Sequence, residues 1–308
     1  MMKRYLQSMV LLVCAVMVFV ASSTTVEAGK TLTYKFKAGD RFTYTMDQDI
    51  DMKMNVVGQE ISIKINQKIE MKQVIKAVSS DGVADITMKI SRILMDMQGP
   101  PGASMKYDSA SKKKPEGALA EVAPLFKALQ SIEFKAKMAA NGKYIDVQVP
   151  KEFFKKLSET PAGAALQGFF NEDSFKQMVS QGATVFPGSV DKGDTWTNSF
   201  SQTNPLGKQV VETRYTYGGE ETVSGKVLDK IDLTLKMNFG EVDNPALRGA
   251  KIKIKKQDAK GTMYFDNVRG QMARSVIDQN MEMEITIQDN IITQVMKIKM
   301  VMSIAEDK

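Results

Sequence analysis

Residues 41–71 read RFTYTMDQDIDMKMNVVGQEISIKINQKIEM. From Phe42, the residues Tyr44, Met46, Gln48, Ile50, Met52, Met54 and Val56 fall at every second position. Thr43, Thr45, Asp47, Asp49, Asp51, Lys53 and Asn55 fill the positions between. Side chains alternate across a strand, so this is a strand with one apolar and one solvated face. Ile61, Ile63, Ile65, Gln67, Ile69 and Met71 repeat the pattern after a break at Gly58-Gln59. A two-residue loop with Gly first suits a type II′ turn. On that turn Val56 opposes Ile61, Met54 opposes Ile63, Met52 opposes Ile65 and Met46 opposes Met71. Asp49 then meets Lys68 on the solvated face. A one-residue slip would expose every apolar side chain, so the face is strongly specified.

The same reasoning yields two more hairpins. Asn141-Gly142 sets Met138 against Ile145, Ala136 against Val147 and Phe134 against Val149. Asp289-Asn290 sets Ile287 against Ile292, Met283 against Met296 and Met281 against Ile298, with Glu282 opposite Lys297. Ser80-Asp81-Gly82 leads into Ala84, Ile86, Met88 and Ile90. The apolar parity then changes to Ile93, Met95 and Met97, which predicts a β-bulge near Ser91 and Arg92. Residues 118–129 are compatible with a short helix despite Pro124. After Pro150 the period becomes helical. Phe153, Phe154 and Leu157 share a face, as do Leu166, Phe169 and Phe170, and Asn171 is placed to cap the segment holding Phe175.

The chain then restarts. Lys37-Ala38-Gly39-Asp40-Arg41-Phe42-Thr43 is matched by Asp191-Lys192-Gly193-Asp194-Thr195-Trp196-Thr197, each a Gly-Asp turn followed by an aromatic residue entering a strand. The expected organisation is a first β half at 29–150, a helical insert at 151–182 and a second, similar β half at 183–308. The fold class is mainly β: two similar curved antiparallel sheets, half-barrel-like, with the helices over the concave side. Strands of about fifteen residues span roughly 50 Å and must curl or be covered.

The N-terminus carries Lys3-Arg4, an apolar run from Tyr5 to Ala21, and Val26-Glu27-Ala28 before Gly29. This is the architecture of an export signal over residues 1–28. The only cysteine, Cys14, lies in mid-run after Leu12-Val13, which does not suit lipid attachment, so the mature chain is expected to lack thiols and disulfides. No later stretch is long and apolar enough for a spanning helix. An exported, periplasmic or extracellular soluble protein is expected. The net charge of +6 falls by one with the signal, a mildly basic balance compatible with anionic lipid or wall polymer. Few aromatic residues and no binding motif argue against nucleic acid.

There is no histidine. That removes histidine-dependent nucleophilic and acid–base catalysis and the usual zinc and copper sites. Any enzyme would depend on carboxylates, Lys or Tyr, and a carboxylate-based hydrolase is the weakest of the readings. Asp47, Asp49 and Asp51 resemble the start of an EF-hand, but Met52 and Gly58 stand where Gly and Glu are needed. No cofactor is called for. The 22 methionines often recur at i, i+2, as in Met52 and Met54 or Met281 and Met283. They could fill a core, form an adaptable surface for a greasy ligand, or hold copper(I) through thioethers. Gln48, Gln67 and Gln294 point to the apolar side and need partners. Lys251, Lys253, Lys255 and Lys256 suit an exposed strand face, with anionic lipid heads as an alternative use.

The Gly39-Asp40-x-Phe42 start, Tyr107-Asp108-Ser109, Asn141-Gly142 with Val147, Phe186-Pro187 leading to Val190, and Gly193-Asp194-x-Trp196 together resemble a family of exported bacterial proteins of unknown function, of planctomycete-like origin. The resemblance implies no activity, ligand or catalytic residue. The functional expectation is therefore a non-enzymatic envelope protein binding a hydrophobic, lipid-like ligand. Met52, Met54, Met281 and Met283 would line the site, with Phe153, Phe169 or Phe170 closing it. The alternative is a structural or interaction protein with a filled core. Intact-mass measurement on protein from the envelope fraction should place the mature N-terminus at or close to Gly29; a retained N-terminus or a lipid adduct on Cys14 would overturn the export reading.

Overall fold

A computed structural model describes residues 29–160, 171–180, 182–204, 207–240, 251–287 and 290–307. The first half contains β1 (Lys30–Thr31), β2 (Arg41–Val56), β3 (Gln59–Val78), β4 (Ala84–Gln98), β5 (Met105–Asp108), β6 (Phe134–Met138) and β7 (Tyr144–Gln148). The second contains β8 (Ser189–Val190), β9 (Thr195–Asn204), β10 (Gly207–Val223), β11 (Lys226–Phe239), β12 (Lys251–Asp266), β13 (Gln271–Ile287) and β14 (Asn290–Glu306). The helices are α1 (Ala118–Gln130), α2 (Lys151–Ser158) and α3 (Glu172–Ser180).

The two halves merge into one antiparallel sheet in the order β7-β6-β4-β3-β2-β14-β13-β12-β11-β10-β9, with β5 beside β4. β14 joins them, pairing with β13 on one side and β2 on the other. The sheet does not close. α3 packs against both edge strands, β7 and β9, so the sheet curls until its edges approach one another across this helix. β1 and β8 form a separate two-stranded ribbon.

The strand faces are as the alternation predicts except at Ile145, which a bulge leaves 57% exposed, but the register differs in all three hairpins. β2 and β3 turn on Val57-Gly58, so Met54 opposes Ile61, Met52 opposes Ile63, Ile50 opposes Ile65 and Met46 opposes Ile69. Val57 has φ +50° and Gly58 φ +82°, the signature of a type I′ turn, and Asn55 Oδ1 accepts the Gly58 N–H at 3.0 Å. The register is two residues from the expected one. A two-residue slide keeps every side chain on its face, so hydrophobic patterning cannot choose between the two; the turn does. Asp49 consequently meets Asn66, and Lys68 pairs with Asp47.

β13 and β14 are displaced in the same way: Met281 opposes Met296, Met283 opposes Gln294, and Glu282 meets Val295 instead of Lys297. In β6 and β7, Ala136 opposes Val147 as expected, but a bulge at the turn sets Met138 against Tyr144 instead of Ile145. The Ala139 N–H bonds the Lys143 carbonyl, so the loop holds three residues, with Gly142 at φ +93°. The bulge predicted in β4 is present. The register with β3 shifts between Arg92 and Ile90, and the Ser91 hydroxyl bonds the Glu70 carbonyl at 3.1 Å. α1 runs through Pro124, because Ala123 and Ala128 bury its inner face and Ala123 packs against Ile93 and Tyr107.

Several local features recur in both halves. Gly39 N–H bonds the Ile75 carbonyl and Ile75 N–H bonds the Asp40 carbonyl; Gly193, Tyr217 and Asp194 repeat these bonds at 2.8 and 2.9 Å. β3 bulges after Ile75 opposite Ile86, and β10 bulges after Tyr217 opposite Ile231. A further bulge recurs between β6 and β7 and between β12 and β13.

One end of the curled sheet is filled. Leu32, Tyr34, Phe153, Phe175, Phe186, Ile231 and Phe265 are buried there in one cluster. Residues 32–36 cross this floor: Tyr34 N–H bonds the Ala140 carbonyl in the first half, and Lys35 N–H bonds the Gly270 carbonyl in the second. The close crossing requires glycine at both turns. A Cβ on Gly142 would lie 2.2 Å from the Thr184 carbonyl oxygen, and one on Gly270 would lie 2.2 Å from Lys35 N. Nearby, Tyr217 donates to Asp229, which is only 2% exposed, and Lys30 pairs with both Asp229 and Glu220. Burial works against the Lys30 ammonium, but these two carboxylates hold its pKa above the usual range.

Gly142→Ala should cost about 2–4 kcal/mol in urea denaturation, against roughly 1–2 for Gly58→Ala, whose Cβ would meet nothing within 4 Å. The floor also predicts alkaline lability. Burial raises the Tyr34, Tyr44 and Tyr217 hydroxyls well above their ordinary range and pushes Tyr144 up to about 12. Groups raised on folding contribute stability that is intact below the unfolded value of 10.0 and is lost as pH rises through the folded ones. The urea midpoint should therefore be flat with respect to these groups below pH 10 and fall above it.

Candidate functional site

Above the aromatic floor, the apolar face of the central strands continues to the far end of the sheet. β2, β14 and β13 are neighbours, and register aligns Met52, Met296 and Met281 in one row and Met54, Gln294 and Met283 in the next. β3 extends these rows with Ile63 and Ile61. The pairings reflect the lengths of β2 and β3 and their I′ turn, which bring the i, i+2 methionines of distant segments side by side. Met52 and Met54 are half-buried, whereas Met281 and Met283 are buried. All four predicted methionines thus share one face. The aromatic cluster at the floor includes none of them.

The predicted closing residues are placed differently. Phe153 is 2% exposed and packs against Phe154 and Phe175, with ring centroids 4.8 and 5.5 Å away. It is part of the floor, not a cover above the methionines. Phe169 and Phe170 lie outside the described residues. Gln48 stands directly opposite Gln67, and the Gln294 amide donates to the Met52 sulfur at 3.1 Å, so polar groups are interspersed within the apolar rows. Met296, Gln294 and Ile63 complete the patch. Their positions were visible in the alternation, but their adjacency to Met52 and Met281 needed the pairing of β14 with β2, about 240 residues apart.

The opposite face of the same strands is charged. Asp47, Asp49 and Asp51 are opposed by Val301, Lys299 and Lys297 of β14, and Lys68 of β3 reaches Asp47. The strand pattern accounts for the three aspartates, and among the described residues no three His, Cys, Asp or Glu side chains are grouped to hold a metal ion. A cleft of about 410 Å³ lies on this outer side, lined by Lys76, Asp85, Thr87, Lys135, Lys137 and Asp146 among others. Asp85 and Asp146 flank Lys137 from the two neighbouring strands, and Lys137 pairs with Asp85 at 3.5 Å. A cation between the carboxylates leaves them apart, so they do not form a convergent acid–base pair.

A family model for a family of unknown function, DUF6263, matches residues 81–270. No curated protein matches the chain significantly. Among solved structures, a study of lipid–protein interactions in lipovitellin is similar at TM-score 0.44 and 11% identity, covering 89% of this chain and 26% of that one. The chain thus spans about a quarter of the lipovitellin chain that it matches. A Bacteroides fragilis protein with a YmcC-like fold is similar at TM-score 0.24 and 8% identity, covering 87% and 98% of the two chains. The outer membrane protein OprG of Pseudomonas aeruginosa is similar at TM-score 0.21 and 6% identity, covering 90% and 100%. None of these structural likenesses carries weight for function at such scores. The family match covers more than half of the chain, and the chain therefore belongs to the DUF6263 family.

Proposed function

We propose that this protein is a non-enzymatic, exported envelope protein, periplasmic or extracellular, that binds a hydrophobic, lipid-like ligand on the methionine face of its curled sheet. The observation that carries the reading is the half-buried apolar face above a sealed floor. Met52, Met54, Ile61, Ile63 and Met296 lie on it partly exposed, although their strands curl around a filled core at the other end. Thioether side chains are flexible and polarizable, and adapt to ligands of variable shape. In this reading Met281 and Met283 form the wall behind the ligand and Phe153 belongs to the floor beneath it; the proposed closing residues Phe169 and Phe170 lie outside the described residues. The charged outer face argues against a barrel immersed in lipid, because lysines and aspartates facing acyl chains are costly.

The filled floor favours a second reading, a structural or interaction protein of the envelope that holds no ligand. We also infer that the halves 29–150 and 183–308 are copies of one unit, on the strength of their matching Gly-Asp hydrogen bonds and bulges.

Two methionine variants separate the readings. Met54→Gln, at a half-buried position, should leave stability within about 1 kcal/mol and weaken binding of a fluorescent fatty acid. Met281→Gln, at 3% exposure, should cost about 1–3 kcal/mol by burying an amide without a partner. Native mass spectrometry of protein from its own host should show a co-purifying lipid. A wild-type protein that binds no fatty acid and carries no lipid would leave only the scaffold.

A further inference from the structure

The far rim of the sheet carries aliphatic side chains that the fold does not use. Val57 is 72% exposed at the β2–β3 turn, Ile291 is 55% exposed at the start of β14, and Val295 is 41% exposed four residues further along the same face. They are neighbours: β14 pairs with β2 so that Ile292 meets Val56, which sets Ile291 beside Val57, and Val295 meets Lys53. Val57 has a second anomaly. It holds φ +50°, a conformation that strains a β-branched residue and that Asn or Gly adopts readily. A residue that strains the turn and leaves most of its side chain in water lowers the stability of the isolated protein. Such outliers concentrate where a side chain acts outside the fold.

Lysines frame this rim. Across the strands from Ile291 lie Thr286 and then Lys251; in the following rows come Lys253 and Lys256, with Lys53 opposite Val295. With Lys255, these five lysines face, among the described residues, three carboxylates, Glu60, Glu282 and Glu284, of which Glu60 and Glu284 are engaged by Lys53 and Lys255. The rim therefore combines projecting aliphatic side chains with an excess of cations. That pairing suits shallow insertion at a bilayer whose headgroups are anionic.

We infer that the far rim, with Val57 and Ile291 at its tip, docks on an anionic lipid bilayer, presenting the methionine face to lipid entering or leaving that surface. The purpose of the contact rests on the ligand reading above; the contact itself is tested apart from it.

The test is co-sedimentation of the full mature chain with phosphatidylcholine vesicles, with and without phosphatidylglycerol, alongside the variants Val57→Asn and Val57→Asn/Ile291→Thr. The wild type should pellet with the phosphatidylglycerol vesicles and be released by salt. Val57→Asn should bind about ten-fold more weakly while its urea midpoint rises, because Asn relieves the turn. A loss of binding through misfolding would move that midpoint the other way. The inference is overturned if the wild type ignores anionic vesicles, if Val57→Asn binds equally well, or if sedimentation shows a concentration-dependent dimer that Val57→Asn dissolves, since a second copy would then be the occupant. Fatty-acid titration without vesicles keeps the two readings distinct: binding of fatty acid without binding of vesicles sinks the docking alone, and the reverse sinks the ligand alone.

Discussion

Residues 32–36 crossing the floor of the sheet are the constraint on which the remainder depends. Leu32 and Tyr34 are buried there, and the Tyr34 and Lys35 N–H groups bond to turns from both halves, at Ala140 and at Gly270. The sheet is open, so its own ladders cannot hold the two edges together. The crossing segment, the β1–β8 ribbon and α3 between β7 and β9 do so instead. The chain comes close enough only because both turns present glycine. Tyr34 then anchors a run of ring contacts through Phe186 and Phe265, with centroids 5.4 and 5.2 Å away, and from Phe186 to Trp196 at 6.3 Å. Lys30, one residue from the expected processing site, adds a charge to the same end by meeting the buried Asp229.

A molecule closed at one end in this way has unequal ends. At the floor, apolar side chains from both halves meet and exclude water. Toward the rim, the same face continues on strands too long to be covered by the same core, and its methionines and isoleucines on β2, β3 and β14 stay partly exposed, while Met281 and Met283 of β13 are buried. Burial thus falls along a single strand while composition hardly changes: Phe42 is 9% exposed, whereas Met52 and Met54 are half-buried. The functional reading follows from that gradient. A fully packed sheet of this length would need a second layer along its whole face.

The alternation in residues 41–71, the parity change near Ser91 and the Gly-Asp starts at 39 and 193 are local features, and local sterics decide them. They were legible because the side-chain period of a strand is two and because a bulge or a turn changes the parity visibly. The shared face of Met52, Met54, Met281 and Met283 was legible for the same reason. Register was not. Sliding a hairpin by two residues preserves every face, so the choice between Ile63 and Ile65 as the partner of Met52 rested on whether Val57 accepts a positive φ, which β-branched residues seldom do.

By itself the sequence determined the strand faces, the absence of histidine chemistry and the recurrence of one strand start in two halves, because each is written in neighbouring residues. Only the tertiary structure decided that the halves share one sheet through β14, that Phe153 belongs to the floor instead of covering the methionines, and that Met281, Met296 and Met52 form one row. Those outcomes depend on pairings between segments some 240 residues apart, and on which end of the curled sheet α2 and α3 fill. No local period encodes either, since the free energy that selects them arises only when both halves are present to bury one another.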